Sequence, residues 1–179
     1  MIKDIKEVLL TEDQIINRVK EIGKAISEEY NGKDLLIVGI LKGSVIFASE
    51  LIKNISIPCE IDFMAVSSYG NSTETSGVVR ILKDLDHGIE GKNIIIVEDI
   101  IDSGITLDYL LKYLKARKAN SIEIATLLTK PSRRRVDLNV KYCGFEVPDE
   151  FLVGYGLDYS EKYRNLPYVG ILKEEVYKK

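Results

Sequence analysis

The sequence predicts an α/β protein with a mostly parallel central sheet that carries helices on both faces. Short apolar runs, such as Leu35 to Leu41 and Asn93 to Val97, alternate along the chain with segments of helical periodicity. Continuous apolar runs are typical of strands covered on both faces, which is the environment of a parallel sheet. A clear helical pattern from Leu107 to Ala116 separates two such runs, and parallel neighbours need a crossover of this kind.

The first predicted helix begins after Thr11 and continues to Tyr30. Thr11 and Gln14 form a capping box at its start. One face of the helix is apolar and comprises Ile15, Val19, Ile22 and Ile26. Asn31 and Gly32 then end the helix.

The remaining predicted elements alternate in the same way. In chain order they are a strand from Leu35 to Leu41, a helix from Val45 to Ile52, strands from Cys59 to Val66, Val78 to Leu82 and Asn93 to Val97, a helix from Leu107 to Ala116, and strands from Ile122 to Leu128 and Phe151 to Tyr155. The segment from Ser68 to Gly77 takes eight of its ten residues from Ser, Thr, Asn and Gly, so it buries little apolar area. It is either a hairpin tip or a mobile lid.

Length and composition indicate one globular domain, residues 1–179. The hydrophobic fraction is 45% and the charged fraction is 30%, as in soluble proteins. A net charge of −3 gives no general attraction to nucleic acid or to anionic membranes, so we expect neither as a partner. The N-terminal residues lack a continuous apolar segment, and the longest apolar runs are shorter than a membrane span. We therefore expect a cytoplasmic location.

The cysteines and the histidine argue against a zinc site. Cys59 and Cys143 belong to no CxxC pair, and His87 is the only histidine. Any metal ion should therefore be a hard, oxygen-liganded cation such as Mg²⁺.

A phosphate-sized loop follows the buried strand that ends at Val97. It comprises Asp102, Ser103, Gly104, Ile105 and Thr106. The loop combines two hydroxyls, a flexible backbone and the start of the next helix, so it can surround a phosphate with N–H and O–H donors. The carboxyl ends of parallel strands are also where open α/β sheets bind ligands.

Glu98 and Asp99 precede this loop and cannot bind a phosphate directly. Ionised carboxylates only accept hydrogen bonds, so near a phosphate they need sugar hydroxyls or a divalent cation. The sequence therefore predicts a ribose-like diol attached to a phosphate. The alternative is an acidic strand end followed by a helix cap at Ser103.

Two lysines after predicted strands could bind a ligand. Lys42 and Gly43 follow an apolar strand and precede a helix, so an ammonium and exposed amides could hold an anion, or the pair could simply end the strand. Lys130 follows the strand from Ser121 to Leu128, and Pro131 would fix its turn. An isolated lysine there is often a solvated charge.

Five segments together resemble the hypoxanthine-guanine phosphoribosyltransferases, a group of type I phosphoribosyltransferases. They are LKGS at Leu41 to Ser44, SSYG at Ser67 to Gly70, VEDIIDSG at Val97 to Gly104, LLTKP at Leu127 to Pro131, and FLVGYGLDYSEKYRNLP at Phe151 to Pro167. The likeness extends from about residue 35 to residue 172. It implies the type I phosphoribosyltransferase fold, with a small hood formed from the N- and C-terminal segments.

The resemblance assigns an activity. It implies that hypoxanthine or guanine reacts with phosphoribosyl pyrophosphate to give IMP or GMP and pyrophosphate, with Mg²⁺ as cofactor. Glu98 and Asp99 would bind ribose, and Glu98, Asp99 and Asp158 are the candidate metal ligands. Asp102 would take or share the proton at N7 of the purine, and the loop from Asp102 to Thr106 would bind the 5-phosphate.

The resemblance also assigns the purine and pyrophosphate contacts. Lys42, Gly43 and Arg164 would bind pyrophosphate, with a cis peptide before Lys42. Lys130 would reach the 6-oxo group, and it suits a 6-oxopurine better than adenine because lysine has donors and no acceptor. The other purine contacts would be Phe151 by stacking, Leu152 through its main chain, and Asp158.

Ser68 and Tyr69 would belong to a mobile lid, residues 68–77, that closes over the reacting centre. A homodimer or homotetramer is also implied. The preference among hypoxanthine, guanine and xanthine stays open because the three differ only at the 2-position. Arg133 to Arg135 form a solvated face, a subunit contact or a phosphate contact.

Two other classes of protein agree less well with the sequence. Nucleotide-sensing transcription regulators share this fold, but they should show a basic face, and this chain is acidic overall. A P-loop enzyme would need GxxxxGK[ST], which the sequence lacks.

Overall fold

The computed structural model describes residues 1–68 and 79–178, without the side chain of Ser68. Its larger sheet has the strand order β4-β3-β2-β5-β6-β7. These strands are β2 (Leu35–Leu41), β3 (Glu60–Ser68), β4 (Val79–Lys83), β5 (Asn93–Ile101), β6 (Ser121–Thr129) and β7 (Tyr142–Glu146). All neighbouring pairs are parallel except β3 with β4. The predicted α/β fold with a mostly parallel sheet is confirmed.

Helices cover both faces of this sheet. Helices α1 (Glu12–Glu29) and α2 (Val45–Lys53) pack on one face, and α3 (Ile105–Lys115) packs on the other. The predicted capping box of α1 is present, because the N–H of Gln14 donates to Oγ1 of Thr11 and the N–H of Thr11 donates back to the Gln14 side chain.

A second, antiparallel sheet joins the two ends of the chain, in the strand order β1-β9-β8. It contains β1 (Ile5–Leu10), β8 (Leu152–Val153) and β9 (Val169–Leu172), and the short helix α4 (Glu174–Tyr177) follows it. The sequence predicted neither β1 nor β9. The predicted strand from Phe151 to Tyr155 is shorter than expected because the chain turns at Gly154, where φ is +95°.

One boundary matters for the site. The strand predicted to end at Val97 continues to Ile101, so placing Glu98 and Asp99 in a loop was wrong. Pairing with β6 extends the strand, with Glu98 opposite Thr126 and Ile100 opposite Leu128. The proposed lid, residues 68–77, lies outside the described residues apart from the main chain of Ser68. Across residues 1–68 and 79–178, no helix is long and apolar enough to cross a membrane.

Candidate active site

A cleft of about 250 Å³ opens where β5 ends and α3 begins. It brings together Glu98 and most of the predicted phosphate loop. The lining residues are Ile40, Val66, Glu98, Ile100, Ile101, Asp102, Ser103, Gly104, Thr106 and Leu107. The cleft lies at the carboxyl end of a central parallel strand, as the sequence predicted.

The backbone at Gly104 requires glycine for two reasons. Its φ is +81°, a conformation that other residues rarely adopt. A Cβ at this position would also lie 2.7 Å from a methyl group of Leu138. The loop can therefore make its tight turn into α3, whose first N–H groups have no backbone partner within the helix.

The side chains of Glu98 and Asp99 lie in different places, although the two residues are neighbours in the sequence. Glu98 lines the cleft, whereas the carboxylate of Asp99 lies against Gly43 in the β2–α2 loop. Successive side chains of a strand point to opposite faces, which explains the separation. Burial raises the pKa of Glu98 well above its ordinary value, and the nearby charge of Asp99 adds to this effect. Glu98 is therefore best stabilised by a hydroxyl donor or a cation.

The surroundings of Asp99 fit a bound Mg²⁺ ion. Burial raises the pKa of Asp99, and repulsion by Asp158 raises it further, against the opposing effects of backbone N–H donors and Arg164. Two carboxylates that repel each other offer hard oxygen ligands for a divalent cation. No three acidic, Cys or His side chains of the described residues converge into a complete metal site. Mg²⁺ commonly binds one or two carboxylates together with substrate phosphates, so Asp99 and Asp158 are compatible with a magnesium site.

The predicted cis peptide is present between Leu41 and Lys42. Lys42 is largely exposed, and its Nζ lies 2.9 Å from Oε2 of Glu161. Oε1 of Glu161, a residue for which the sequence predicts no role, also lies 3.4 Å from Nη2 of Arg164. One carboxylate therefore contacts both of the side chains predicted to hold pyrophosphate.

Glu161 is directed to these cations by a tight turn. Tyr159 and Lys162 exchange two backbone hydrogen bonds across it, and Ser160 and Glu161 both have positive φ, 50° and 62°. This is the geometry of a two-residue hairpin turn that usually contains Asn and Gly. Non-glycine residues in such positions cluster at functional sites. A turn at Ser160 and Glu161 could have drawn attention to Glu161 in the sequence. The signal is weak because the turn contains neither Asn nor Gly.

Arg164 is fixed by a hydrogen bond and an ion pair to its neighbours. Nη1 donates to the carbonyl of Gly156 at 2.8 Å, and Nη2 lies 2.9 Å from Oδ1 of Asp158. The buried Nε has no hydrogen-bond partner among the described residues. An unpaired guanidinium N–H can still donate to an anionic ligand.

Lys130 is buried, so the alternative of a solvated charge is wrong. Its side chain is about 10% exposed, and Nζ donates to the carbonyl of Glu150 at 2.7 Å. Its backbone N–H donates to Ile101, at the end of β5. The lysine is thereby fixed next to the phosphate loop, and Nζ retains two further donors.

Phe151 directly precedes the short strand β8 and is fixed by two aromatic rings. It stacks on Tyr177 at 4.7 Å and meets Tyr159 edge-on at 5.5 Å. Leu152 pairs with Ile171 of β9. Phe151 and Leu152 directly follow Glu150, whose carbonyl accepts a hydrogen bond from Lys130.

The three arginines after Lys130 do not form a uniform solvated face. Arg133 pairs with Asp102, with Nε 2.7 Å from Oδ1. Arg134 donates to Thr129, and the main chain of Arg135 donates to Ser103. The segment is therefore attached to the phosphate loop and to the end of β6.

Known proteins resemble this chain over nearly its whole length. A sequence profile for the family described as phosphoribosyl transferase domain matches residues 7–160. The hypoxanthine-guanine phosphoribosyltransferase of Bacillus subtilis is 56% identical over 97% of both chains. The protein of the same name from Staphylococcus aureus is 56% identical over 99% of both. A crystal structure of a Staphylococcus aureus hypoxanthine phosphoribosyltransferase superimposes with a TM-score of 0.97 at 55% identity, covering 100% of this chain and 97% of the other.

Proposed function

This chain belongs to the hypoxanthine-guanine phosphoribosyltransferases, and on that premise we propose how its residues carry out purine salvage. The enzyme converts hypoxanthine or guanine and phosphoribosyl pyrophosphate to IMP or GMP and pyrophosphate. The observation that supports our assignment of roles is the single cleft that Glu98 shares with the loop from Asp102 to Thr106. A carboxylate acceptor beside hydroxyl and amide donors suits a sugar diol joined to a phosphate.

The loop from Asp102 to Thr106 binds the 5-phosphate in this proposal. Ser103 and Thr106 supply hydroxyls, and the backbone of Gly104 and Ile105 supplies N–H groups at the start of α3. The helix dipole adds a favourable potential for the anion. Glu98 accepts from the ribose hydroxyls on the same side, and Asp99 acts from the side of Gly43.

Lys42, Gly43 and Arg164 hold the pyrophosphate that leaves C1. The planar fork of Arg164 suits paired phosphate oxygens, and its unpaired Nε leaves a donor available. Asp99 and Asp158 are the side chains that would hold Mg²⁺, whereas Glu98 faces the cleft on the other side of β5. When bound, Mg²⁺ supplies positive charge that stabilises the departing pyrophosphate.

The purine lies between the phosphate loop and Phe151. Lys130 donates to the 6-oxo group, Phe151 stacks on the ring, and the main chain of Leu152 pairs with the base edge, with Asp158 close by. Adenine presents an N6 donor to Lys130, so one of the two donors stays unpaired. Sites built on such a polar pairing can reject the wrong analogue by roughly 10⁴-fold.

Asp102 takes or shares the proton at N7 while N9 forms its bond to C1. The bond from C1 to pyrophosphate breaks early, so the ribose carries oxocarbenium character in the transition state. The lid, with Ser68 and Tyr69, excludes water from this centre; its role is proposed from the composition of residues 68–77.

We also propose that residues 1–179 act as one domain and that the β1-β9-β8 sheet is its hood. The protein would work in the cytoplasm as a homodimer or homotetramer. Cys59 and Cys143 are both free thiols, as suits a reducing compartment. Light scattering on the purified protein would determine the number of subunits.

The test of the activity is direct. Protein mixed with hypoxanthine, phosphoribosyl pyrophosphate and Mg²⁺ should form IMP, and guanine should give GMP. Adenine in place of hypoxanthine serves as the negative control. Failure to form either nucleotide under these conditions would overturn the proposal.

A further inference from the structure

Arg133 lies between two carboxylates at the edge of the cleft. Its Nε is 2.7 Å from Oδ1 of Asp102, and its Nη1 is 3.2 Å from Oδ1 of Asp149. Asp149 in turn lies 3.7 Å from Nζ of Lys130. These four side chains form a row of alternating charge. The row joins the proposed proton acceptor to the lysine proposed to recognise the purine.

We infer that Arg133 is a positioning residue that orients the Asp102 carboxylate and, through Asp149, sets its place relative to Lys130. This inference rests on the proposed function. In a 6-oxopurine, N7 and the 6-oxo group lie on the same edge of the base. The two side chains that meet them must therefore keep a defined separation, and Arg133 is the charge that connects them.

Arg133 attracts the carboxylate of Asp102 but does not form a hydrogen bond to its Oδ1. The two atoms are close, yet Oδ1 of Asp102 has no hydrogen-bond partner among the described residues. The N–H of Arg133 is thus not aimed along the line between them. Nη1, in contrast, makes a hydrogen bond to Asp149. Asp102 is attracted to one side of the cleft, and because its Oδ1 is buried while the side chain is 45% exposed, Oδ2 is the oxygen that can meet the N7 proton.

The second carboxylate allows the charge on Asp102 to change during turnover. When Asp102 accepts the purine proton, its attraction to Arg133 falls. Arg133 stays protonated throughout and keeps Asp149 as its partner. Arg133 therefore keeps a partner after the proton moves. An unpaired cation in its place would oppose the proton transfer.

The position of Arg133 is set by the backbone around it. The N–H of Arg135 donates to the carbonyl of Ser103 at 3.0 Å, and Nη2 of Arg134 donates to Oγ1 of Thr129 at 2.6 Å. The segment is therefore attached to the end of β6 and to the phosphate loop directly after Arg133. Within residues 1–68 and 79–178, Arg133 is the residue that forms an ion pair with Asp102.

The experiment compares three variants in steady-state assays of IMP formation. Arg133→Gln removes the charge, Arg133→Lys keeps it, and Arg135→Gln removes a neighbouring charge whose side chain makes no ion pair within residues 1–68 and 79–178. A misplaced catalytic group costs up to about 10²-fold in rate, so we expect kcat of Arg133→Gln to fall roughly 10- to 100-fold. The KM for phosphoribosyl pyrophosphate should change little. Arg133→Lys should recover most of kcat, and Arg135→Gln should match the parent.

A double-mutant cycle separates positioning from a general structural role. Adding Arg133→Gln to Asp102→Asn should cause no further loss, because Arg133 acts through the missing carboxylate. Losses that multiply, or an Arg133→Gln enzyme with the kcat of Arg135→Gln, would overturn the inference. A parent enzyme that forms no IMP would instead overturn the proposed function. Melting temperatures of all variants report whether the fold is intact.

Discussion

The Cα of Gly43 rests directly on the carboxylate of Asp99. A Cβ placed on Gly43 would lie 1.7 Å from Oδ2 of Asp99. A Cβ on Gly156 would likewise lie 2.0 Å from the carbonyl oxygen of Gly43. Three separate parts of the chain thus meet in close contact at Gly43, next to Lys42. The two glycines permit this packing around the proposed pyrophosphate site.

Gly43→Ala should therefore weaken binding of phosphoribosyl pyrophosphate and of pyrophosphate. The added methyl must displace either Asp99 or the loop, and a displacement of about 1 Å can cost up to 10²-fold. Direct titration would measure the affinities. Gly88→Ala is the matched control because a Cβ there meets nothing within 4 Å. Equal affinities for the two variants would show that the contact is not needed.

The central sheet was predictable because its strands are locally apolar, as in the four residues from Ile94 to Val97. The end of β5 was not, because Glu98 joins the strand only by pairing with Thr126 of β6. The small sheet was also hidden, since Ile5 pairs with Leu172 from the other end of the chain. A local sequence pattern gives no information on pairing between strands that are distant in the chain.

The same limit applies to the site. Lys130 and the loop after Ile101 stand at strand ends, so local sequence was enough to single them out. The contact of Glu161 that matters here is its hydrogen bond with Lys42, a residue 119 positions away. The sequence shows Arg133 as part of a basic run. Its contact with Asp102 depends on how the two connections that follow β5 and β6 pack together. Contacts of this kind need the fold.

Lys130→Met should lower the use of hypoxanthine and relax discrimination against adenine. The variant keeps most of the buried volume but removes the donors that meet the 6-oxo group. We expect the ratio of kcat/KM for hypoxanthine to that for adenine to fall by roughly 10²-fold or more. Lys112→Met, on the exposed surface of α3, is the control. An unchanged ratio in Lys130→Met would remove this lysine from purine recognition.

Glu161→Gln should tighten the binding of pyrophosphate. In the empty enzyme Glu161 pairs with Lys42 and Arg164, and an incoming anion must displace it. The hydrogen bond to Lys42 lowers the pKa of Glu161, so the competing charge is present at neutral pH. Both members of the Glu161–Lys42 pair are largely exposed, so the affinity should change only modestly, by roughly fivefold at most. Titration of Glu161→Gln beside Glu28→Gln, an exposed helical glutamate, would measure it. Weaker binding would mean that Glu161 supports the site.

Glu98→Gln should raise the melting temperature of the empty protein at neutral pH. Because burial raises the pKa of Glu98, the folded state holds its proton more tightly than the unfolded state. The stability that Glu98 contributes is complete below its ordinary pKa of 4.5 and is lost as pH rises through the higher folded-state value. The difference between variant and parent should thus vanish towards acid pH. Each kcal/mol corresponds to about 2–4 °C. A difference that does not depend on pH, measured by calorimetry, would contradict this account.

Asp102→Asn should reduce turnover while changing the affinity for phosphoribosyl pyrophosphate much less. The amide keeps the size of the side chain and one acceptor, but it lacks the basicity to take the N7 proton. General-base assistance is worth about 10² to 10⁴ in rate, so kcat should fall within that range. Glu98→Gln and Asp99→Asn should show a different balance, because their proposed contacts are to ribose and metal and the loss of these contacts weakens binding along with rate. Steady-state kinetics with direct binding titrations on the three variants would separate the roles. A near-normal kcat for Asp102→Asn would leave this residue as a structural part of the phosphate loop, held there by Arg133.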